Sequence, residues 1–224
     1  MRDAFFVMSG GIGLPAMRAR LFLPGIVVLA AVLRFWHIGA QSLWIDEYLT
    51  LEVATAKPGY PIWQLLLHNI HGPLHALSVF LFGLIGRSDG WLRLPSALAG
   101  IATVPLLFLW MRPRFGQRAA LWGALLLAIN PLHVHYSQEL RNYAFAVLFV
   151  MAGAVCVDGL IARATRARAA AFAVCAAAAV LSNFSATFSY AAHAVSYFKR
   201  AGVTRTTVAR FAAISLLLVV LISP

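Results

Sequence analysis

The sequence predicts an all-α membrane protein with about seven transmembrane helices. Hydrophobic residues make up 62% of the 224 residues, charged residues only 11%, and the mean hydropathy is +0.82. A soluble domain of this length carries more charge, so the composition indicates a chain that crosses the membrane several times. The basic residues form short clusters between apolar runs, as the positive-inside rule requires of cytoplasmic loops. This arrangement argues against a nucleic-acid partner, despite the net charge of +11.

The charge clusters set the orientation of the predicted spans. Arg18 and Arg20 precede the first apolar run, so residues 1–20 lie in the cytoplasm and the first span leads outwards. The later clusters alternate with apolar runs in the same way, which predicts the spans 21–38, 92–111, 119–131, 143–161, 169–181, 184–198 and 211–224. The stretch 169–198 leaves open a single long tilted helix, which would reverse the last span. We expect the whole chain, 1–224, to form one transmembrane module.

A long outer loop, 39–91, lies between the first two spans. It contains Trp, Tyr and short apolar runs punctuated by Pro, a pattern that favours helices lying along the membrane surface. We expect one such helix at 46–56 and a second from about Pro61. The run 74–85 is too short to cross, so it predicts a re-entrant or interfacial helix.

The outer loops collect ionisable residues that membrane segments usually avoid. Asp46 and Glu47 stand side by side in the first loop, and the second, 130–143, is rich in His, Glu, Arg and Tyr. Ionisable groups at membrane depth are a functional hypothesis by default. Alternatively, the acids begin a surface helix, the histidines cap a turn, and Arg93 reaches towards lipid head groups. Acids, imidazoles and guanidinium groups together on one face suit a substrate with a lipid tail and a phosphate head.

Five stretches together resemble a known family. They are Leu33–Gly39, Ser42–Glu47, His71–Leu74, Leu92–Gly100 and Asn130–Tyr143. Their order and spacing resemble the N-terminal module of the polyprenyl-phosphate-dependent membrane glycosyltransferases of GT-C fold, which include protein O-mannosyltransferases and the aminoarabinose transferases of lipid A. The resemblance implies a multi-pass protein of the inner (plasma) membrane whose active site faces the periplasm or exterior. Where the family usually has His-Pro-Pro-Leu-Tyr-Tyr, this chain has His71-Gly-Pro-Leu-His-Ala76, a departure that we expect to alter acceptor fit.

The resemblance also implies roles for single residues. Asp46 would be the catalytic carboxylate that takes the proton of the acceptor hydroxyl, and Glu47 would support it by raising the proton affinity of the pair. The residues expected to face the donor phosphate are Arg141, Arg93, His135, Glu139 and Tyr143, and the acceptor or loop candidates are His71 and Tyr136. No cofactor is required on this interpretation, and a divalent metal ion at Asp46 is left open.

The expected partners are the lipid bilayer, a polyprenyl-phosphate-linked sugar as donor, and a hydroxyl acceptor that is a lipid, a glycan or a protein. Full-length relatives usually run to several hundred residues, so we expect this chain to lack their C-terminal spans or domain. Two other classes compete with the enzyme. A transporter would carry ionisable residues or broken helices near the middle of the membrane, often in two related halves. A non-catalytic membrane partner would keep the fold and the lipid-binding patch.

Overall fold

The computed structural model describes residues 16–55 and 72–223, and side chains from residue 22 onwards within those ranges. The described residues are helical and contain no strand, which confirms the predicted all-α membrane fold. The helices are α1 (Ala16–Phe35), α2 (Ile45–Ala54), α3 (Pro73–Gly83), α4 (Asp89–Ile129), α5 (Pro131–Ser137), α6 (Tyr143–Ala162), α7 (Arg166–Ser182), α8 (Ala186–Ala201) and α9 (Arg205–Ile222).

The long helix α4 contains two of the predicted spans. Its path breaks at Gly116, whose φ of 79° lies in the left-handed region that favours glycine. Residues 89–115 and 117–129 therefore run as two helical segments, which match the predicted spans 92–111 and 119–131. The basic segment between these spans contains this break, and residues on its two sides, such as Phe108 and Ala120, pack in one core cluster. The chain therefore turns back at Gly116, as two separate spans predict.

Three of the described helices, α4, α6 and α9, are long and apolar enough to cross a membrane, and α1 contributes a shorter apolar stretch, Phe22–Phe35. Each of the seven predicted spans coincides with a helix or with one half of α4. Residues 183–185 are not helical and separate α7 from α8. The single tilted helix considered for 169–198 is therefore wrong, whereas the count of seven crossings stays a prediction.

Small and aromatic side chains pack the helices together. Ala30 of α1 and Ala124 and Ala128 of α4 are fully buried against each other. Because lipid tails are as apolar as the side chains, close approach through small residues is what stabilises such contacts in a membrane. Phe172 of α7 and Tyr197 of α8 belong to a second core that also includes residues of α6 and α9.

The two predicted helices of the first outer loop that fall within the described residues are both present. α2 confirms the helix expected at 46–56, and α3 confirms the one at 74–85; the helix expected from Pro61 lies outside the described residues. A Cβ at Gly72, just before α3, would lie 2.0 Å from the carbonyl oxygen of Leu181. This close approach leaves no room for a side chain at position 72, and it brings the start of α3 against the end of α7.

Basic residues predicted to be cytoplasmic meet at the other end of α6. Asp158 forms ion pairs with Arg114, beside the α4 kink, and with Arg200, in the last turn of α8. α6 begins directly after the second outer loop, so this cluster and the outer loops lie at opposite ends of the same helix.

Candidate functional site

Glu47 and Arg93 form a buried ion pair that fastens the first outer loop to α4. Glu47 is fully buried and Arg93 is 4% exposed. Arg93 Nε donates to Glu47 Oε1 at 2.8 Å, and its Nη2 donates to Oε2 at 2.6 Å. The backbone N–H groups of Leu140 and Trp44 also donate to this carboxylate, at 2.6 Å and 3.3 Å. One side chain of α2 thus binds α4 and the turn that follows α5.

These contacts keep Glu47 ionised. Burial alone would raise the pKa of the Glu47 carboxyl, but the hydrogen bonds from Arg93, Leu140 and Trp44 outweigh burial and hold the pKa below its ordinary value. Arg93 neutralises the charge of Glu47 through the buried ion pair. The expected effect of Glu47 on the proton affinity of the Asp46–Glu47 pair stays a prediction. Glu47 supports Asp46 by fixing the position of α2.

Arg93 directs its hydrogen bonds into the protein. Besides the two bonds to Glu47, its Nη1 donates to the carbonyl oxygens of Ile38 at 2.9 Å and Gln41 at 2.8 Å, and its Nη2 donates to that of Ser42 at 3.4 Å. These bonds hold the turn after α1 and occupy the whole donor set of the guanidinium. We therefore assign Arg93 to holding this turn, which differs from its expected role at the donor phosphate.

Asp46, the residue before Glu47 on α2, stays partly exposed and meets Arg141. Its side chain is 39% exposed, and Oδ2 lies 3.6 Å from Nη2 of Arg141. Arg141, whose side chain is only 7% exposed, also donates to the carbonyl oxygen of Asp46 at 3.1 Å and to Thr50 Oγ1 at 3.4 Å. Its guanidinium lies 5.6 Å from the ring centroid of Tyr143. The first outer loop and the turn after α5 therefore share one face, as predicted from their positions in the chain.

The remaining predicted site residues divide into two groups. The rings of Tyr136 and Tyr143 lie 4.7 Å apart, next to Arg141. His135 Nε2 lies 3.1 Å from Oε1 of Glu139, which is 9% exposed. Burial raises the pKa of the Glu139 carboxyl, and the charge of Glu47 adds to this effect. A carboxyl group does not suit a phosphate, so Glu139 is a poor fit for the expected role at the donor, whereas the role of His135, whose side chain is 63% exposed, stays a prediction. His71 lies outside the described residues.

An apolar cavity of about 600 Å³ begins beside the two tyrosines. Tyr136 and Tyr143 line it, and Val147, Val150 and Met151 line it further along α6. Because the ring of Tyr143 lies 5.6 Å from the guanidinium of Arg141, a wall residue of the cavity neighbours the Asp46–Arg141 pair.

The family model described as dolichyl-phosphate-mannose-protein mannosyltransferase matches residues 71–224, more than half of the chain. The chain belongs to this family. The matched region includes Arg93 and Arg141 and begins after Asp46 and Glu47, so the paired acids are assigned from the resemblance and from their contacts. Family membership confirms the likeness to GT-C glycosyltransferases.

Two curated relatives carry mannosyltransferase names. The "Putative mannosyltransferase YkcB" of Bacillus subtilis (strain 168) is 27% identical over 141 residues, which cover 56% of this chain and 19% of the relative. The "Putative mannosyltransferase YycA" of the same organism is 28% identical over 105 residues, 47% of this chain and 13% of the relative. The chain thus spans less than a fifth of the length of either relative. No solved structure matches it significantly.

Arg34 is a site residue that the sequence argument missed. It is fully buried, and Nη1 donates to the carbonyl oxygens of Ala30 and of Ala128, both at 3.0 Å. Nη2 lies 2.7 Å from Nδ1 of His133, whose pKa falls to about 4 through burial and the charge of Arg34. The cation thus lies at the last turn of α4, where the helix dipole favours positive charge. An arginine inside an apolar span was the signal that could have identified it.

The structure offers no ready metal centre among residues 16–55 and 72–223. No three His, Cys, Asp or Glu side chains in these ranges lie close enough to hold one ion together. A divalent ion at Asp46 would need ligands from the substrate or from elsewhere, and it stays a prediction.

Proposed function

We propose that this chain is the catalytic module of a membrane glycosyltransferase that moves a sugar from a polyprenyl-phosphate carrier to a hydroxyl acceptor at the outer membrane face. The observation that carries the proposal is the Asp46–Arg141 pair, a partly exposed carboxylate beside a buried guanidinium that contacts Tyr143, a wall residue of the apolar cavity. Family membership supports sugar transfer over the transporter that the sequence left open.

The reaction needs a base for the acceptor and a cation for the leaving group. Asp46 takes the proton from the acceptor hydroxyl as its oxygen attacks the anomeric carbon. The bond between that carbon and the phosphate oxygen breaks, and its electron pair leaves with the lipid phosphate. Arg141 stabilises the growing charge on the phosphate through charge-assisted hydrogen bonds. Direct in-line attack inverts the anomeric configuration, and the sugar carbon carries positive charge in the transition state.

The apolar cavity suits the lipid part of the donor. A polyprenyl chain along Val147 and Val150 would leave its phosphate near Tyr143, whose ring contacts Arg141. Glu47 and Arg93 keep α2 in place throughout, so the carboxylate of Asp46 does not have to be positioned during each turnover.

The test compares purified wild-type protein with Asp46→Asn, using radiolabelled polyprenyl-phosphate mannose. Asparagine keeps the shape of the side chain but cannot accept the proton, so we expect transfer to fall by about 10²–10⁴-fold. Retention of the labelled donor on the protein should change little. Normal transfer by Asp46→Asn would exclude the base role. Wild-type protein that binds the donor but releases no sugar would instead support the non-catalytic partner.

A further inference from the structure

A second cavity, of about 370 Å³, opens where the turn after α1 meets the turn after α5. Its walls include His37, Trp44, Glu47, Arg93, His135 and Glu139, and it shares no lining residue with the apolar cavity. His37 has a φ of 53°, in the left-handed region, which non-glycine residues seldom adopt, although His does so more often than most. The bonds from Arg93 to the carbonyl oxygens of Ile38 and Gln41 hold this wall, so the cavity is preformed.

Glu139 supplies the one acceptor in this wall that the described protein leaves unsatisfied. Its Oε1 is paired with His135, but Oε2 is buried and has no hydrogen-bond partner among the described residues. A buried polar atom without a hydrogen-bond partner destabilises the folded protein. A ligand that donates a hydrogen bond to Oε2 would remove this destabilisation.

The charges around the cavity exclude an anion. Glu47 and Arg93 neutralise each other, and the hydrogen bonds of Arg93 already end on protein atoms. A phosphate here would face the carboxyl of Glu139 without a guanidinium available to bind it. The donor phosphate therefore belongs at Arg141, and this cavity binds a different chemical group.

A sugar has the required chemistry. Its hydroxyl groups donate hydrogen bonds to a carboxylate, and the C–H face of its ring is apolar. Trp44, which is 46% exposed, gives the cavity a flat apolar wall that matches such a face. A mostly closed site of this volume, with few polar groups aimed inwards, is typical of small-molecule binding.

The cavity also lies close to the proposed reaction centre. Glu47, which lines it, directly follows Asp46 in α2, and Glu139, which also lines it, stands two residues before Arg141, the partner of Asp46. We infer that this cavity binds the acceptor, that the acceptor is a glycan or other sugar, and that Trp44 and Glu139 position it. The inference rests on the proposed function and specifies its acceptor class.

Saturation-transfer NMR on the purified protein with methyl α-D-mannopyranoside tests this without any donor. We expect saturation of the sugar protons by wild-type protein, and at least a fivefold loss of that signal in Trp44→Ala and in Glu139→Ala. Trp36→Ala is the matched control, since Trp36 is 67% exposed nearby but does not line the cavity. It should bind the sugar as wild type does.

Two results would overturn the inference: wild-type protein that does not saturate the sugar, or equal signals in all four proteins. Inorganic phosphate is added as a competitor. If phosphate displaces the sugar, the cavity is a binding site for the donor phosphate and the inference is wrong. Displacement by methylammonium would assign it to a cation instead. Because Trp44 is exposed, Trp44→Ala stays informative even if Glu139→Ala fails to fold. Sugar binding without transfer from the labelled donor would refute the proposed function alone.

Discussion

Asp46 and Glu47 are adjacent in sequence but meet opposite surroundings. Successive side chains on a helix point roughly 100° apart, because one turn takes 3.6 residues. α2 therefore turns Glu47 into the protein, where it is fully buried, and leaves Asp46 with a side chain 39% exposed. The buried carboxylate is used for structure, and the exposed one remains accessible to a substrate.

Because one carboxylate is buried and the other exposed, we expect Glu47→Gln and Asp46→Asn to lose different amounts of stability. Glu47→Gln leaves the buried guanidinium of Arg93 without its counter-charge, so we expect the free energy of unfolding to fall by about 3–5 kcal/mol at neutral pH. Asp46→Asn should cost at most about 1 kcal/mol, as for an exposed ion pair. Thermal unfolding of the detergent-solubilised proteins, followed by tryptophan fluorescence, measures both.

The pH dependence of stability provides a control for the predicted role of the Glu47–Arg93 pair. The pKa of Glu47 in the folded protein lies below its ordinary value of 4.5. The stabilisation from the pair is therefore complete above about pH 4.5 and is lost as the pH falls through the folded pKa. Wild type and Asp46→Asn should show this loss, and Glu47→Gln should lack it. Parallel curves for wild type and Glu47→Gln would mean that the pair does not anchor α2.

The element scale shows which features follow from local sequence. Apolar runs and charge clusters were enough to place α2, α3 and both halves of α4, because each pattern is local. The basic segment 112–118 predicted the turn between the two halves of α4, which the structure places at Gly116. The break between α7 and α8 was left open, because no charge cluster separates the two apolar runs of 169–198.

Contacts between distant elements were harder to predict. The predicted order of the spans placed Asp46 and Arg141 on one face of the membrane, and the contact between their side chains confirms that they share a face. Which carboxylate would turn inwards, and that it would pair with Arg93, depends on how α2 docks against α4. Arg34 was missed because its partners, carbonyl groups at the end of α4, carry no sequence signal.

Helix contacts also predict the effect of adding one methyl group. In Gly72→Ala the Cβ would meet backbone atoms of Leu181 and Ser182, which cannot rotate away. We expect a loss of about 1–3 kcal/mol in the free energy of unfolding. Sugar transfer should also fall, since the carbonyl oxygen of Ser182 accepts a hydrogen bond from Asn142 at 2.6 Å, beside Arg141.

Gly25→Ala in α1 is the matched control for this prediction. A Cβ at Gly25 meets no atom within 4 Å, and alanine is the better helix former by about 1 kcal/mol. This variant should keep both stability and transfer. If the two variants behave alike, α3 is not held against α7 by the close approach at Gly72.

At the scale of the whole molecule, the candidate site and a basic cluster lie at opposite ends of the helix bundle. The candidate site is formed by the outer loops, and Asp158 pairs with Arg114 and Arg200 at the far end of α6. Positively charged loops stay in the cytoplasm, so the basic end should face inwards and the site outwards. Lipid-linked sugar and acceptor would then meet on the outer side.

Labelling of single cysteines tests this orientation. The background is a variant in which alanine replaces Cys156 and Cys175, both partly buried in the helices. Tyr48→Cys reports on the outer site and Val203→Cys on the basic end, and both positions are exposed. In sealed right-side-out vesicles a membrane-impermeant maleimide should label Tyr48→Cys at once, and Val203→Cys only after permeabilisation. The reverse pattern would place Asp46 on the cytoplasmic side, where the acceptor would have to be a cytoplasmic molecule.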